Sequence, residues 1–394
     1  MKNRILLFII LAFTLQSCHI GRFLYWNVAN TDDYKKFENE TIKKPEKSYE
    51  FQNSSEKAKL PDSIGKRDRT KLSFSKAINE SETVALIIIK NDSILFEEYY
   101  ENYTPETIHT SFSVAKSVIS ALIGIAISDG DIHSVDDPIT NYLKGVNDEA
   151  FEGITIKHLL DMQSGLKFSE GYYNPFGDVA KYYYGRNLNK YITKLKKEKT
   201  PGEEWKYKSV DPQLLAAVLE STTGKSVPAY LEEKIWSQIG MESDASWSLD
   251  SKKHRTAKAF CCLNAIAMDY ARFGRLYLNN GNCEGKQVIP ESWVKESTTF
   301  DENKNSLRYS YQWWHIQKVA IDKENLPEFY KEYPMEGNGQ NTAILYPGKA
   351  YYAQGVSGQF IYIHPEENII IVRLGHDMGG ISWSEFFEEI VRLN

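Results

Sequence analysis

The sequence predicts an α+β fold with one antiparallel sheet, built from both ends of the globular region and flanked by helices, plus an inserted, mostly helical subdomain. Two short apolar runs on either side of Asn91-Asp92-Ser93 are typical of two strands joined by a tight turn. Further strand-like runs follow one another between residues 351 and 373. Helical patterns fill most of the chain between these two groups. We therefore expect a ligand cleft where the helices meet the sheet.

The helices can be placed from local patterns. Residues 114–127 are apolar nearly all round, which indicates a buried helix, and Asp129-Gly130 supplies a C-terminal cap. A helix that starts at Asp211-Pro212 is expected to end at Gly224. Further helices are predicted at 156–165, 265–278 and 386–393.

Composition excludes several classes of protein. The chain has 394 residues, of which 42% are hydrophobic and 25% charged, as in ordinary globular proteins rather than disordered or coiled-coil chains. Its 47 basic and 53 acidic side chains give a net charge of −6. Nucleic acid is not an expected partner, because phosphate binding needs a basic face. We expect a polar N-terminal extension at 19–72 that acts as a tether, and one globular domain at 73–394.

The first eighteen residues predict export. The first four carry positive charge, and residues 5–15 form an apolar run that is too short to span a bilayer as a helix. The run ends in Leu15-Gln16-Ser17-Cys18, which resembles the lipobox of bacterial lipoproteins, in which the cysteine becomes the lipidated N-terminus. We therefore expect a lipid-anchored protein of the bacterial cell envelope that contacts the membrane only through this lipid. A plain secretory signal is the alternative.

Three cysteines remain after Cys18, and their number allows one disulfide at most. Cys261 and Cys262 are expected to be small buried apolar residues at the start of a helix, and spacing leaves open whether either pairs with Cys283 or with the other. No CxxC or HxxxH spacing occurs, so the sequence predicts no zinc site, and it predicts no other metal or cofactor.

Ser113 and Lys116 are the first candidates for catalysis. Residues three apart in the first turn of a helix lie on one face, so the serine Oγ and the lysine Nζ can meet. The helix N-terminus favours an alkoxide, and a lysine whose pKa is lowered there can act as a base. The same S-x-x-K spacing starts at six serines, but only Ser113 opens a long apolar helix after a strand pair. A helix-capping serine beside a solvated lysine is the alternative.

Tyr207 and a glycine-rich turn are the second and third candidates. Tyr207 precedes a helix, and its phenol can relay a proton if a nearby ammonium lowers its pKa. Gly355, Val356 and Gly358 lie just before a strand. There the glycines allow close approach to a substrate, and a backbone N–H can polarise its carbonyl. A half-buried loop tyrosine and an ordinary β-turn are the alternatives.

Together, these elements resemble the penicillin-recognising serine hydrolases, specifically the class C β-lactamase-related superfamily. That family has S-x-x-K, then Y-x-N or Y-x-S about 90 residues later, then K-T-G or H-x-G on a C-terminal strand. The resemblance covers residues 73–394, implies a β-lactamase/transpeptidase-like fold, and is closest to esterase and 6-aminohexanoate-dimer-hydrolase-like members. Other segments typical of the family are Leu159 to Leu166, Pro201-Gly202, Asp269 to Gly274 and Tyr311 to Trp314.

The resemblance also implies a role for each candidate. Ser113 is the expected nucleophile, Lys116 the base that activates it, and Tyr207 the proton relay to the leaving group. The backbone N–H groups of Ser113 and Val356, or of a neighbour on that strand, form the expected oxyanion hole, and water hydrolyses the acyl-enzyme. The substrate is a small ester or amide, and its other expected contacts are Gly355, Ser209 and Gly358.

Two departures from the family pattern bear on the substrate. Ser209 stands where class C β-lactamases have an asparagine that holds the substrate amide. Gln354-Gly355-Val356 replaces K-T-G, the source of the cation that grips a β-lactam carboxylate. Losing such a charge-assisted contact costs about 1.5–3 kcal/mol or more. We therefore expect poor β-lactamase activity.

Two alternative functions stay open. One is a D,D-peptidase or β-lactamase acting on cell-wall peptides or β-lactams, and the other is a non-catalytic module that holds envelope peptides in the same cleft. An α/β-hydrolase fold is disfavoured because the sequence has no G-x-S-x-G elbow. The sequence does not indicate an oligomeric state.

Overall fold

A computed structural model describes residues 19–299, 308–320 and 344–394. Short 3₁₀ helices occur in it at Phe112–Val114 and Val356–Gly358, among other places. The α-helices of the described ranges are α1 (His19–Trp26), α2 (Phe74–Glu80), α3 (Ala115–Asp129), α4 (Asp148–Phe151), α5 (Ile156–Leu160), α6 (Asp178–Tyr184), α7 (Leu188–Ile192), α8 (Val210–Thr223), α9 (Val227–Leu231), α10 (Ala267–Leu278), α11 (Glu291–Thr298) and α12 (Trp383–Leu393).

The strands of the described ranges fall mainly in two sheets. They are β1 (Glu38–Ile42), β2 (Gln52–Asn53), β3 (Ser63–Gly65), β4 (Lys71–Ser73), β5 (Thr83–Lys90), β6 (Ser93–Tyr99), β7 (Ile108–Thr110), β8 (Ala245–Leu249), β9 (Leu263–Ile266), β10 (Asn282–Cys283), β11 (Lys286–Gln287), β12 (Tyr309–Ser310), β13 (Trp313–Ala320), β14 (Ile344–Gly355), β15 (Gln359–His364) and β16 (Ile369–Gly375).

Both ends of the globular region meet in the central sheet, whose order is β12-β13-β14-β15-β16-β5-β6-β2. The pairs are antiparallel except for β2, which runs parallel to β6 at one edge. β16 pairs with β5, so that Ile370 lies opposite Ile89 and Val372 opposite Ile87. The predicted strand pair at 84–96 and the predicted C-terminal strands are thereby confirmed as parts of one sheet, as is the α+β class.

The sheet separates two apolar cores. Ile87 and Ile89 of β5 belong to the core that also contains α3, α8 and α10, whereas Leu86 and Ile88 belong to the core beneath α2 and α12. Alternate residues of a strand point to opposite faces, so a strand covered on both faces must be apolar throughout. This is why the run in β5 is continuous rather than alternating.

The predicted buried helix is α3. It ends at Gly130, whose φ of 84° is the left-handed conformation that favours glycine, as expected. The stretch Phe112–Asp129 is long and apolar enough to cross a membrane, but 78% of it is buried inside the protein. It is therefore the core helix of the fold, and it holds the start of the helical subdomain against the sheet.

The N-terminal segment is folded onto the body, and our expectation of an extended arm at 19–72 was wrong in this respect. β1 pairs antiparallel with β8, and β2 pairs with β6. α1 lies against α6, where the rings of Phe23 and Tyr184 are 5.3 Å apart. Composition misses this packing because an edge strand such as β1 is held by backbone hydrogen bonds and buries only Ile42.

Candidate active site

Ser113 lies where a strand turns into the core helix. β7 leads into the 3₁₀ helix Phe112–Val114 and then into α3. Phe112 has a φ of 44°, a left-handed conformation that costs an aromatic residue energy and that clusters at functional sites. Ser113 is 9% exposed and lines a pocket. The chain thus bends sharply to present one nearly buried hydroxyl to a cavity.

Lys116 lies one helical turn further on, in contact with Ser113 as the spacing predicts. Its Nζ donates to Ser113 Oγ at 3.0 Å and to the backbone carbonyl of Phe260 at 2.6 Å. It also donates to Ser209 Oγ at 3.4 Å. The side chain is 1% exposed, and all three of these acceptors are uncharged oxygens. The lysine is therefore positioned by polar groups that do not require it to carry a charge.

Burial lowers the pKa of Lys116 to about 7, because the ammonium form is costly away from water. The charge of Glu170 acts in the opposite direction and raises that pKa, but by less than burial lowers it. A substantial fraction of the lysine is therefore neutral at neutral pH. A neutral amine at 3.0 Å from a serine hydroxyl can accept its proton.

Tyr207 lies in the same cluster. Our expectation that a nearby ammonium lowers the pKa of its phenol was wrong. Lys116 Nζ is 5.2 Å from the centre of the Tyr207 ring. Burial raises the pKa of Tyr207 well above its usual range, the charge of Glu170 raises it further, and a hydrogen bond with Ser113 lowers it only in part. Because Lys116, with a pKa of about 7, is only partly charged at neutral pH, it does not supply the full positive charge that we expected. Tyr207 therefore stays protonated and can act as a proton donor.

Glu170 is a charged group of the site that the sequence analysis missed. Ser209 Oγ donates to its Oε1 at 2.5 Å, and the Ser209 backbone N–H donates to its Oε2 at 2.8 Å. The Tyr172 hydroxyl also donates to Glu170 Oε1, at 2.9 Å. No catalytic motif marks this residue. The available signal was an acidic residue in a loop rich in aromatic side chains, just after a segment typical of the family.

The turn at 355–358 lies against the backbone around Ser113. A β-carbon on Gly355 would lie 2.4 Å from the Ser111 carbonyl oxygen and 3.1 Å from the Ser113 backbone nitrogen, so only glycine allows this approach. Gly358 has a φ of 85°, and a β-carbon there would collide with the buried guanidinium of Arg373. Arg373 Nη1 donates to the carbonyl of Gly358 at 2.7 Å, which fixes the turn beside the serine.

The pocket in front of Ser113 has mostly apolar walls. It contains about 610 Å³ of space, counting its open mouth. Ser113 and Ser209 supply the hydroxyl groups at its floor, and Val356 of the glycine-rich turn forms part of the wall. The remaining wall residues are Phe112, Val179, Ala180, Phe260, Cys261, tyrosines 172, 173, 183 and 184, and Val28 and Ala29 of the N-terminal segment.

Cys261 and Cys262 are buried, as expected, and are joined to each other in a disulfide between adjacent residues. Cys283 is a buried free thiol. The cysteine count allows one disulfide at most, and spacing alone does not single out this pair. The bonded pair follows Phe260, whose carbonyl contacts Lys116, and Cys261 forms part of the pocket wall.

The described part of the site consists of hydroxyl, amine and carboxylate side chains. In the three described ranges, no group of three or more His, Cys, Asp or Glu side chains is close enough to hold an ion. Lys116 and Tyr207 contact Ser113, and the charge of Glu170 acts on both of them. Cys18, the predicted lipidation site, lies outside the described residues, so lipidation stays a prediction.

Comparisons with known proteins agree with this arrangement. A beta-lactamase family model matches residues 75–382. The 6-aminohexanoate-dimer hydrolase of Paenarthrobacter ureafaciens is 25% identical over 283 residues, which cover 64% of this chain and 71% of that protein. An Escherichia coli protein assigned as a D-alanyl-D-alanine carboxypeptidase is 26% identical over 182 residues, covering 40% of this chain and 42% of that one. A solved Bacillus anthracis protein, assigned as a 6-aminohexanoate-dimer hydrolase, has a TM-score of 0.75 at 24% identity and covers 94% of both chains, which confirms the predicted fold.

Proposed function

The chain belongs to the beta-lactamase family of serine hydrolases, which includes esterase, amidase and peptidase types, and from that premise we propose that it cleaves a small ester or amide through an acyl-enzyme on Ser113. The observation that carries the proposal is the 3.0 Å contact between Ser113 Oγ and the buried Nζ of Lys116. Burial lowers the pKa of this lysine to about 7, which suits a general base at neutral pH.

The first half of the reaction is acylation. Neutral Lys116 accepts the Ser113 proton while Oγ attacks the substrate carbonyl and forms a tetrahedral intermediate. The backbone N–H groups of Ser113 and Val356 are the proposed donors to its oxyanion. In support, the strand end that carries Gly355 approaches the Ser113 amide closely.

Collapse of the intermediate requires a proton for the departing alcohol or amine. Tyr207 is the proposed donor, because it keeps its proton and lies within reach of both Ser113 and Lys116. Lys116 then returns a proton to the tyrosine. In the second half of the reaction, water attacks the acyl carbonyl, Ser113 leaves with a proton, and the acid product departs.

The pocket favours an uncharged, partly apolar substrate over a β-lactam. Its walls are mainly aromatic and aliphatic. Gln354-Gly355-Val356 stands where K-T-G is expected, so the lysine of that motif is missing. A β-lactam carboxylate lacks its usual cationic partner at that position. We propose that β-lactam turnover is slow compared with ester or amide turnover.

A D,D-peptidase is the second candidate, favoured by the similarity to the E. coli protein assigned as a carboxypeptidase. The two candidates predict different lifetimes for the acyl-enzyme that penicillin forms on Ser113. Slow release of labelled penicillin from Ser113, with no turnover of simple esters, would transfer the assignment to the peptidase. Rapid ester turnover with weak penicillin labelling supports the hydrolase.

We also propose export and lipid anchoring through Cys18, supported by the positive start of the sequence, its apolar run and the lipobox-like end. Cys18→Ser removes the thiol that would carry the lipid. The variant is expected to lose incorporation of labelled fatty acid in the cell, whereas Cys283→Ser, which removes a buried thiol, keeps it. Equal labelling of the Cys18→Ser variant would contradict the anchor.

Fluorophosphonate labelling tests the proposed nucleophile. The folded protein is expected to take up one adduct, which peptide mass spectrometry locates on Ser113, and Lys116→Ala should lose it. Ser73→Ala is a matched control, because Ser73 has the same spacing to a lysine but is exposed and outside the pocket. An adduct at another serine, or none on protein with a normal unfolding transition, would refute the assignment.

A further inference from the structure

The exposed large apolar side chains are confined to two short segments. Among the described residues, such side chains occur only at 24–28 and 172–176, and their exposed fractions range from 36% to 80%. Large apolar groups that cluster on a surface mark sites of interaction, whereas scattered single ones do not. We call this group the aromatic rim, and its members are Leu24, Tyr25, Val28, Tyr172, Tyr173 and Phe176.

The two segments of the aromatic rim lie side by side. α1, which carries Leu24 and Tyr25, is attached to α6, which begins two residues after Phe176. Arg22 Nε donates to the Tyr184 carbonyl at 2.5 Å, and the Tyr184 hydroxyl donates to the Asn27 carbonyl at 2.7 Å. Val28 of the first segment and Tyr172 and Tyr173 of the second line the same pocket, so the two segments are neighbours on the surface.

Three members of the aromatic rim lie at the catalytic pocket. Val28, Tyr172 and Tyr173 line that pocket together with Ser113. A substrate that enters from this side passes the rim before it meets the serine. Whatever the rim binds is therefore held against the mouth of the active site.

The chain itself indicates what the rim binds. α1 begins at His19, the residue directly after the proposed lipid-bearing Cys18, and only nine residues separate Cys18 from Val28 at the pocket. An anchor at Cys18 places α1 at the bilayer surface. Tyrosine suits this position because its ring is apolar and its hydroxyl is polar, and such rings concentrate at the headgroup level of membranes.

We propose that the aromatic rim docks on a lipid bilayer, so that the pocket mouth faces the headgroups and the enzyme takes its ester or amide, bearing an apolar chain, from the membrane. The reaction itself rests on the function proposed above. A lipid tether alone holds the protein near the membrane without orienting it, whereas contact of two adjacent segments fixes which face points down. The mostly apolar pocket walls match an acyl or alkyl chain that enters from that face.

Docking can be measured by spin labelling of the full lipidated protein in vesicles of phosphatidylethanolamine and phosphatidylglycerol. Phe176→Cys places a label on the rim. Lys76→Cys places one on α2, whose core lies on the opposite face of the central sheet from the pocket residues. The label at 176 is expected to gain collisions with oxygen and lose collisions with a water-soluble nickel chelate, and the label at 76 is not.

Two results would overturn docking. One is an equal response of the labels at 176 and 76 to the vesicles. The other is burial of the label at 176 that depends on protein concentration and occurs without lipid, because that result assigns the rim to a second copy of the chain.

Kinetics test the supply of substrate from the membrane. The triple variant Leu24→Ser, Tyr25→Ser and Phe176→Ser changes rim residues that do not line the pocket. It is expected to hydrolyse a long-chain p-nitrophenyl ester dissolved in vesicles roughly tenfold more slowly than the native protein. Its turnover of water-soluble p-nitrophenyl acetate should stay within about twofold. Lys76→Ser is the control and should change neither rate.

The outcomes separate this proposal from the proposed function. If the native protein hydrolyses both esters and the triple variant equals it on both, supply from the membrane is refuted and the hydrolase stands. If the native protein hydrolyses neither ester and takes up no fluorophosphonate adduct on Ser113, the proposed function fails and the substrate claim with it, while the spin labels still decide whether the rim docks.

Discussion

The floor and the rim of the pocket are built in opposite ways. The floor consists of Ser113, Lys116, Ser209 and the Phe260 carbonyl, which are buried and hydrogen-bonded to one another around the lysine. The aromatic rim consists of exposed side chains on α1, just after α1 and on the loop before α6. One region is fixed by a core helix, and the other lies on surface segments.

This difference separates chemistry from selection. A buried polar cluster in which each group positions the next is expected to act as a unit, so a change in the floor should reduce turnover of every substrate. A change in the rim should matter only for substrates that contact it. The predictions below test this separation, beginning with the largest expected effect.

Lys116→Ala should reduce kcat by about 10³-fold or more for every ester tested, because the base that accepts the serine proton is removed. Steady-state kinetics measure it. Lys258→Ala is a matched control, since Lys258 is also buried and has a pKa lowered to about 7 by burial, but its Nζ donates to the Tyr183 carbonyl instead. If Lys258→Ala reduced kcat as much as Lys116→Ala does, the floor would not differ from its surroundings in its effect on turnover.

Gly355→Ala should reduce kcat by roughly 10²-fold, because its β-carbon has no room beside Ser111 and must push the turn away from the Ser113 amide. Gly65→Ala is the control, as a β-carbon there meets nothing closer than 3.9 Å. Unchanged kcat in Gly355→Ala, in protein of normal thermal stability, would remove this turn from the oxyanion site.

Glu170→Gln should move the acidic limb of the pH–rate profile to lower pH, by up to about one unit. The sign follows from charge, because Glu170 stabilises the ammonium form of Lys116 and raises its pKa. Without that charge, the lysine stays neutral at lower pH. Asp178→Asn, a change of charge at an exposed residue of the same region, should leave the limb in place. A shift to higher pH would contradict the assigned electrostatics.

Tyr173→Ser should have the smallest effect, because Tyr173 is an exposed member of the rim that lines the pocket mouth. KM for an apolar ester is expected to rise about threefold while kcat changes less than twofold, since only binding area is lost. Tyr173→Phe keeps the ring and should restore KM. A large decrease of kcat in Tyr173→Ser would show that the rim takes part in catalysis as well as in substrate binding.

The sequence predicted the floor better than the rim for a physical reason. Ser113 and Lys116 meet because helical spacing alone brings them together. Gly355 and Gly358 could be predicted because each is required by its local backbone, through a close approach at 355 and a positive φ at 358. Glu170 enters the site through contacts with a residue 39 positions away, which no local pattern encodes.

The N-terminal segment shows the same limit of local patterns. Its polar composition resembles that of a free arm, but pairing of β1 with β8, pairing of β2 with β6 and packing of α1 against α6 hold it on the body. Val28 then becomes a pocket wall through that fold. Most predicted strands and helices of the body were recovered because their apolar periodicity is strong and local, but the helix predicted at 156–165 ends at Leu160 and the one predicted at 265–278 begins at Ala267.

The pH dependence of kcat/KM for a soluble ester tests the central claim most directly, because Lys116 must be neutral to accept the serine proton. The account predicts a rate that falls about tenfold per unit below a midpoint near the lysine pKa of about 7 and levels off above it. Asp211 provides the control, because burial raises the pKa of its carboxyl to about 7, close to that of Lys116. Asp211→Asn should therefore retain the acidic limb. A profile that stays flat between pH 6 and 8, or a limb lost in Asp211→Asn while the protein remains folded, would contradict Lys116 as the base.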